Sequence, residues 1–183
     1  MKMKKLVIFG LLIFSLNIFS QTKFLTKTGI VNFEASVPSF EEVKAKNEAV
    51  TAILNTENGE FAALILVKGF RFKNALMEEH FNENYAESDT YPKATFKGKI
   101  NNFSLEALKT ISDFKITGEL NFHGKTKKIE VFDLKVTKTD DTVSLIGNFK
   151  TNTSDFDIKI PKIVQNKVSE SVNVWFAFNL TSK

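Results

Sequence analysis

A strand, a short amphipathic helix and a second strand follow one another in the stretch Gly69–Ile100, and this order most constrains the fold of the chain. Phe70 and Phe72 alternate with charged residues, which is the period-two pattern of a half-buried strand. Phe96 and Gly98 resume the same period after the helix. A single amphipathic helix among strands is typical of an antiparallel barrel that the helix closes at one end.

The residues between these two strands predict the helix and its limits. Asn74 stands at the N-cap position, where its side-chain oxygen can accept a hydrogen bond from a backbone N–H. Met77, Phe81 and Tyr85 recur at every fourth position and therefore share one face of the helix. Pro92 stops the segment, because the residue before a proline is pushed out of the α region.

Alternating apolar residues predict further strands on both sides of this stretch. The pair Asn58-Gly59 is a strong hairpin signal between strands at Val50–Asn55 and Phe61–Phe72. The run Ala62–Val67 is apolar at every position, so we expect this part of the strand to be buried on both faces.

A change of parity predicts an irregularity in a later strand. Ile129 and Val131 are in phase, whereas Phe132, Leu134 and Val136 have the opposite parity, so we expect a β-bulge near Val131–Phe132. Strands at short regular spacing, joined by hairpin turns, favour an up-and-down meander that closes into a barrel. The pattern therefore predicts an all-β, antiparallel barrel with one short amphipathic helix.

The N-terminal segment predicts export. Residues 1–20 contain three lysines, then an apolar run from Leu6 to Phe19, and then the small residue Ser20, which is the order of a secretory signal peptide. The apolar run of roughly 14 residues is shorter than the roughly 20 that a membrane-spanning helix needs. We therefore expect cleavage, a single mature domain at 21–183 without an integral membrane span, and a periplasmic or secreted location.

The composition of the mature segment argues against several classes of function. Three of the 25 Lys and Arg residues lie in the leader, which leaves 22 against 21 Asp and Glu, so there is no electrostatic reason to expect nucleic acid binding. The sequence has no cysteine, and its two histidines lack the spacing of metal ligands. It also lacks nucleophile and phosphate-loop motifs. We therefore predict no enzyme activity, no cofactor and no metal.

Phenylalanine is the unusual component, with 19 residues in the chain. A phenylalanine-rich β core explains this number, and so does a cavity lined for a long hydrocarbon, since ligand sites are mostly apolar and aromatic. Composition alone leaves both interpretations open.

Three segments of the sequence resemble the YceI-like family of bacterial secreted proteins, and in particular its Bacteroidetes-type members. They are LMEEHFNENYAESDTYPKATFKGKI, Gly118–Lys127 (GELNFHGKTK) and Phe156–Pro161 (FDIKIP). The resemblance covers essentially the whole mature chain. It implies an eight-stranded, antiparallel, lipocalin-like β-barrel, with a long apolar cavity that holds a polyisoprenoid or a similar amphiphile in the periplasm.

Strand and helix periodicity identifies the residues that we expect to line such a cavity. The apolar positions of inward parity are Phe70, Phe72, Phe96, Leu120, Phe122, Phe149, Phe176 and Phe178 on strands, with Met77 and Phe81 on the helix. Arg71, His80 and His123 are candidates for contacts with a lipid headgroup. Each also has a structural interpretation, which for Arg71 is an outward strand residue paired with a glutamate.

The sequence and the resemblance together predict a binding protein that sequesters or carries an amphiphilic lipid, such as a polyisoprenoid or an isoprenoid quinone. One alternative is a ligand-free barrel that acts as a scaffold or partner-binding module, which a filled interior would favour. Another is a small outer-membrane β-barrel, which needs an apolar band facing the lipid and a polar interior. A homodimer is compatible with the sequence, although no stretch demands one.

Overall fold

Long strands with an alternating pattern make up most of the chain. The computed structural model describes residues 22–182, so the predicted signal peptide at 1–20 lies outside the described residues. The strands are β1 (Lys23–Ser36), β2 (Lys44–Asn55), β3 (Glu60–Leu66), β4 (Arg71–Phe72), β5 (Lys93–Ile100), β6 (Asp113–Phe122), β7 (Lys125–Thr139), β8 (Thr142–Asn152) and β9 (Val168–Ser182).

Eight of these described strands close into an antiparallel barrel. Their order around the barrel is β1, β9, β8, β7, β6, β5, β3 and β2, and β2 pairs in turn with β1. The two-residue strand β4 adds to the start of β2 through the pairs Ala45–Phe72 and Lys46–Arg71. The predicted fold, an all-β, eight-stranded antiparallel barrel with one short helix, is confirmed.

The predicted hairpin between β2 and β3 is present. Gly59 has a φ of 74°, and its N–H donates a hydrogen bond of 2.9 Å to the carbonyl of Asn55. The strand after it is shorter than the predicted segment Phe61–Phe72, because β3 ends at Leu66 and a 3₁₀ turn at Val67–Gly69 leads into β4.

The prediction that Ala62–Val67 is buried on both faces is wrong. Ala62 and Leu64 are half-buried, and Leu66 is 52% exposed, whereas the alternate residues point into the barrel. The physical reason is the position of the helix, which packs beside β4 over one end of the barrel rather than over the outside of β3.

The helix begins where its sequence predicts, but its helical residues end at Tyr85, before the predicted stop at 88–92. Helix α1 (Ala75–His80) starts after Asn74, whose side-chain oxygen accepts a hydrogen bond of 2.9 Å from the N–H of Leu76. A π-helical turn at Phe81–Tyr85 continues it. Single π turns widen a helix locally and are frequent at functional sites.

Strand β7 contains the predicted bulge. Phe114 of β6 pairs with Leu134, but Ile116 pairs with Val131, so β7 has one residue more than β6 between the two pairs. Val131 and Leu134 are both buried. The extra residue therefore returns the second half of β7 to the inward parity, as predicted.

The interior of the barrel differs between its two ends. Where β1 begins and β9 ends, branched aliphatic side chains fill the barrel and have 0% exposure; they are Leu54, Ile100, Leu134, Val136, Val143, Leu145 and Leu180. We call this the filled end. At the other end, helix α1 and two loops surround aromatic residues that are only partly buried, namely Phe33, Phe72, Phe81, Phe96, Phe122, Phe149 and Phe176. We call this the open end.

Candidate functional site

The open end holds a cavity of about 400 Å³ whose lining is almost entirely apolar. The ten side chains predicted from periodicity all line it: Phe70, Phe72, Met77, Phe81, Phe96, Leu120, Phe122, Phe149, Phe176 and Phe178. Phe70 and Phe178 are buried, and the other eight are partly buried because one side of each packs on the wall and the other faces empty space. That they bind a ligand stays a prediction.

Glycines in the wall allow two aromatic rings to lie flat against the strands. Gly98 and Gly118 are cross-strand partners. An added Cβ would lie 2.9 Å from the Phe96 ring at Gly98 and 2.5 Å from it at Gly118. A Cβ on Gly147 would come within 2.6 Å of the ring of Phe176, its cross-strand partner. Glycine at these positions lets the rings approach the backbone closely, which leaves the centre of the barrel open.

A chain of aromatic contacts forms the floor of the cavity. Phe61 lies 6.2 Å from Phe96 and 5.4 Å from Phe178, measured between ring centroids. Phe178 stacks on Phe176 at 5.4 Å. Phe61 and Phe178 are buried and also pack against the aliphatic core. These rings therefore separate the cavity from the filled end.

Phe81 packs the helical segment against aromatic side chains of β1 and of the segment Phe70–Phe72. Its ring centroid lies 5.3 Å from that of Phe33, 5.8 Å from Phe70 and 5.2 Å from Phe72. Aromatic pairs of this kind contribute roughly 0.5–1.5 kcal/mol each beyond the area that they bury. Met77 and Tyr85, on the same face, line the cavity beside Phe81.

Arg71 holds the helix from the outside and does not line the cavity. Its guanidinium donates to the carboxylate of Glu78 at 2.9 Å and to the carbonyl of Lys68 at 2.8 Å, and its side chain is 67% exposed. The second carboxylate oxygen of Glu78 accepts a hydrogen bond of 3.1 Å from the N–H of Phe72. This arrangement is the structural interpretation of Arg71, an outward strand residue paired with a glutamate.

The two histidines occupy different environments. His80 is exposed and lines the cavity at its mouth. The ring of His123 lies outside the cavity lining, 4.5 Å from that of Tyr91, with Nδ1 2.8 Å from the carbonyl oxygen of Phe156 and Nε2 3.4 Å from the Glu87 carboxylate. Of the three predicted headgroup contacts, the structure therefore places only His80 at the cavity.

The barrel wall opens between β7 and β8 on the side of the cavity. Their described pairing runs from Lys135–Ile146 to Thr139–Thr142, whereas β8 pairs with β9 as far as Asn152. Residues 153–160, which we call the strap, follow β8 at this separation, and their first part, Thr153–Phe156, contacts β7, β8 and β9. Phe156 and Ile160 of the strap are buried and line the cavity.

Two ion pairs tie the strap to β7. The carboxylate of Asp155 accepts hydrogen bonds from the Lys127 ammonium, from the Thr151 hydroxyl at 3.0 Å and from the Asn152 N–H at 2.7 Å. The hydrogen bond from Lys127 is the main reason that the pKa of Asp155 lies below its usual value. The carboxylate of Asp157 lies 2.6 Å from the Lys125 ammonium.

Several lining residues were not among those predicted. They include Phe33 and Phe61 in strands, Phe40 in the loop after β1, and Phe156, Ile158 and Ile160 in the strap. Alternation could have identified the two strand residues. The strap has no helix or strand period, so only the resemblance of the segment Phe156–Pro161 marked it.

No metal centre or membrane-spanning helix is present within residues 22–182. These residues contain no cluster of three or more histidine, aspartate or glutamate side chains that could hold a metal ion. None of their helices has the length and apolar character needed to cross a bilayer.

An eight-stranded antiparallel barrel with a filled end and an apolar cavity at the other is the architecture of the lipocalin-like class. The chain belongs to the YceI-like domain family, whose model matches residues 20–180. Its Bacteroidetes-type character stays a prediction. A search of curated proteins found no match.

Several solved structures share the fold. One is described as a polyisoprenoid binding domain from Saccharophagus degradans implicated in plant cell wall breakdown; it is 16% identical, with a TM-score of 0.73 over 88% of this chain and 99% of that one. Burkholderia cenocepacia BcnA is 18% identical, with a TM-score of 0.69 over 85% and 96%. The Campylobacter jejuni YCEI protein is 19% identical, with a TM-score of 0.63 over 80% and 89%.

Proposed function

We propose that this protein binds an amphiphilic lipid in the apolar cavity and sequesters or carries it in the periplasm or outside the cell. The observation that carries the proposal is the cavity of about 400 Å³ with its wall of phenylalanine side chains. A polyisoprenoid is the ligand class that we favour, and an isoprenoid quinone belongs to the same chemistry. The relative described as polyisoprenoid-binding supports this choice.

The lining suits an apolar chain in size and in chemistry. Ligand cavities in proteins usually measure about 300–1,000 Å³, so this volume is sufficient for part of a long lipid tail. Burial of one methylene group contributes about 0.8 kcal/mol, so about ten groups contribute roughly 8 kcal/mol before the cost of ordering the chain. The tail can therefore supply most of the binding free energy without any polar contact.

The polar residues of the lining predict which end of the lipid faces water. Glu41, His80 and Lys167 are exposed and line the cavity at its mouth. A headgroup there keeps its hydration, whereas the same headgroup at the aromatic floor would lose it without a hydrogen-bond partner. We therefore place the tail against Phe61 and Phe178 and the headgroup near His80.

The polarity of the barrel disfavours the outer-membrane alternative, which needs a polar interior. Here the inward side chains are apolar, while outward positions on β5 and β6 carry Lys97, Lys99, Thr117 and Glu119. The ligand-free alternative predicts a filled interior, which the cavity at the open end argues against. Export is supported by the leader sequence at 1–20.

The test is native mass spectrometry of the exported protein, purified without detergent, followed by organic extraction and lipid analysis. We expect a stoichiometric isoprenoid lipid, or an apo protein that takes up added polyprenyl phosphate or ubiquinone. Leu120→Trp places a larger side chain in the cavity and should reduce this uptake, whereas Leu105→Trp changes an exposed leucine outside the lining and should not. An apo mass that neither lipid changes would refute the proposal and favour a ligand-free module.

A further inference from the structure

Two loops at the rim of the open end expose apolar side chains to water. Ile163, in the 3₁₀ turn Lys162–Val164, is 85% exposed, the highest value among the described large apolar residues. Phe40, in the loop between β1 and β2, is 44% exposed. Neither residue belongs to the hydrophobic core of the described residues, so burial within the barrel does not explain the apolar character of these side chains.

The two loops are neighbours and border the mouth of the cavity. β1 ends at Ser36 and β9 begins at Val168, and these two residues are cross-strand partners. Loop 37–43 therefore begins beside the point where loop 157–167 ends. The first four residues of loop 157–167 also belong to the strap. Phe40 and Val164, one from each loop, line the cavity.

Exposed lysines lie on both sides of Ile163 in the sequence. Loop 157–167 contains Lys159, Lys162 and Lys167 against a single acidic residue, Asp157, so its net charge is +2. Asp157 is itself paired with Lys125. We call Phe40, Ile163 and these three lysines the rim patch.

Charges of both signs lie beside Phe40, and acidic residues lie on the helix. Glu41 and Glu42 follow Phe40, and Glu42 pairs with Lys44 at 2.9 Å. On the helical side, Glu79 and Glu83 are exposed. The mouth therefore has a basic, apolar side at loop 157–167 and an acidic side at the helix.

We infer that the rim patch docks the mouth of the cavity on the surface of an anionic phospholipid bilayer. Apolar side chains inserted at the boundary between headgroups and acyl chains, with lysines at the level of anionic headgroups, are the components of interfacial membrane binding. The biological purpose rests on the proposed function, because a docked mouth would let a lipid tail pass between bilayer and cavity without crossing water.

The experiment is co-sedimentation of the detergent-free protein with vesicles. One set contains phosphatidylcholine alone, and the other contains phosphatidylcholine and phosphatidylglycerol in equal amounts. We expect the protein to bind the anionic vesicles at least about tenfold more tightly than the neutral ones. Lys162→Gln should weaken binding to the anionic vesicles by about fivefold, and added salt should also weaken it.

Ile163→Gln tests the apolar contribution, and Ile146→Gln is its matched control. Ile146 is also exposed, at 56%, but it lies in β8 on the outside of the barrel wall. We expect about tenfold weaker vesicle binding for Ile163→Gln and none of this loss for Ile146→Gln. Equal binding of Ile163→Gln and the unchanged protein, or an equal loss in both variants, would overturn the inference.

The same preparations distinguish docking from ligand binding and from self-association. Vesicle binding by the unchanged protein, when neither polyprenyl phosphate nor ubiquinone changes its apo mass, would support docking and refute the proposed function. A wild-type dimer that Ile163→Gln converts to a monomer in sedimentation velocity would assign the rim patch to a second copy of the chain and overturn the docking.

Discussion

The filled end and the open end of the barrel are built from the same strands, yet the described side chains pack closely at the filled end and line a cavity at the open end. Strand β8 shows the contrast, since Val143 and Leu145 are fully buried in the filled end, whereas Phe149 lines the cavity further along the strand. The open end does not use smaller side chains. Its volume arises because rings lie against glycine-bearing walls and because the strap spans a separation between β7 and β8.

The largest effect that this contrast predicts is on stability. Leu145→Ala leaves a void in a closely packed core and should lower the free energy of unfolding by about 2–5 kcal/mol. Phe149→Ala should cost less than half of that, because one side of the ring already faces empty space. Urea denaturation of the lipid-free protein measures both. Equal losses would mean that the two ends are packed alike.

The next largest effect concerns the glycines of the wall. A Cβ on Gly118 would lie 2.4 Å from the carbonyl oxygen of Lys97 and 2.5 Å from the Phe96 ring. Gly118→Ala must therefore displace the ring toward the cavity and shift the strands, at a cost of about 1–3 kcal/mol.

Native mass spectrometry should show weaker uptake of polyprenyl phosphate by this variant, beyond what its stability loss explains. The double variant Gly118→Ala/Phe96→Leu removes the displaced ring and is the matched control. It should recover the part of the uptake that the displaced ring blocks, although the contact with the Lys97 carbonyl remains, and uptake no better than that of Gly118→Ala would contradict the role that we assign to the glycine.

A smaller effect is expected from the strap. The pKa of Asp155 is lowered in the folded protein, chiefly by the Lys127 hydrogen bond, so its carboxylate stabilises the fold above the ordinary pKa of 3.8. This contribution is lost as the pH falls through the lower folded pKa. Because the pair is partly exposed, we expect Asp155→Asn to cost no more than about 1 kcal/mol at neutral pH.

Thermal unfolding of the protein and of Asp155→Asn between pH 7 and about pH 2 measures this contribution. The difference in stability between the two proteins should be constant down to about pH 5 and should vanish in strong acid. Faster amide exchange at residues 153–158 in the variant should accompany it at neutral pH. A difference that grows toward low pH would contradict the assignment.

The sequence predicts those parts of the fold and of the cavity that depend on the spacing of neighbouring residues along the chain. Strand residues alternate between faces, so parity identified eight lining residues and the bulge in β7, and the helical period identified Met77 and Phe81. Parity could not reveal the strap, because its position depends on where β7 and β8 stop pairing. No pattern within the strap sequence itself indicates that point. The prediction that Ala62–Val67 is buried on both faces failed for a related reason. An apolar composition does not specify whether another element covers the outer face of a strand.

The smallest expected effect is on lipid affinity, and it separates two of the predicted headgroup contacts, Arg71 and His80. Arg71 is outside the cavity and paired with Glu78, so Arg71→Gln should change lipid affinity less than about twofold and stability by no more than about 0.5 kcal/mol. His80 lines the mouth, so His80→Ala should change the affinity for a lipid with a phosphate headgroup more than for ubiquinone, which has no charge. Native mass spectrometry with both lipids separates the two residues. A large loss of polyprenyl phosphate binding in Arg71→Gln, with that in His80→Ala unchanged, would place the headgroup on the outer side of the helix instead of at the mouth.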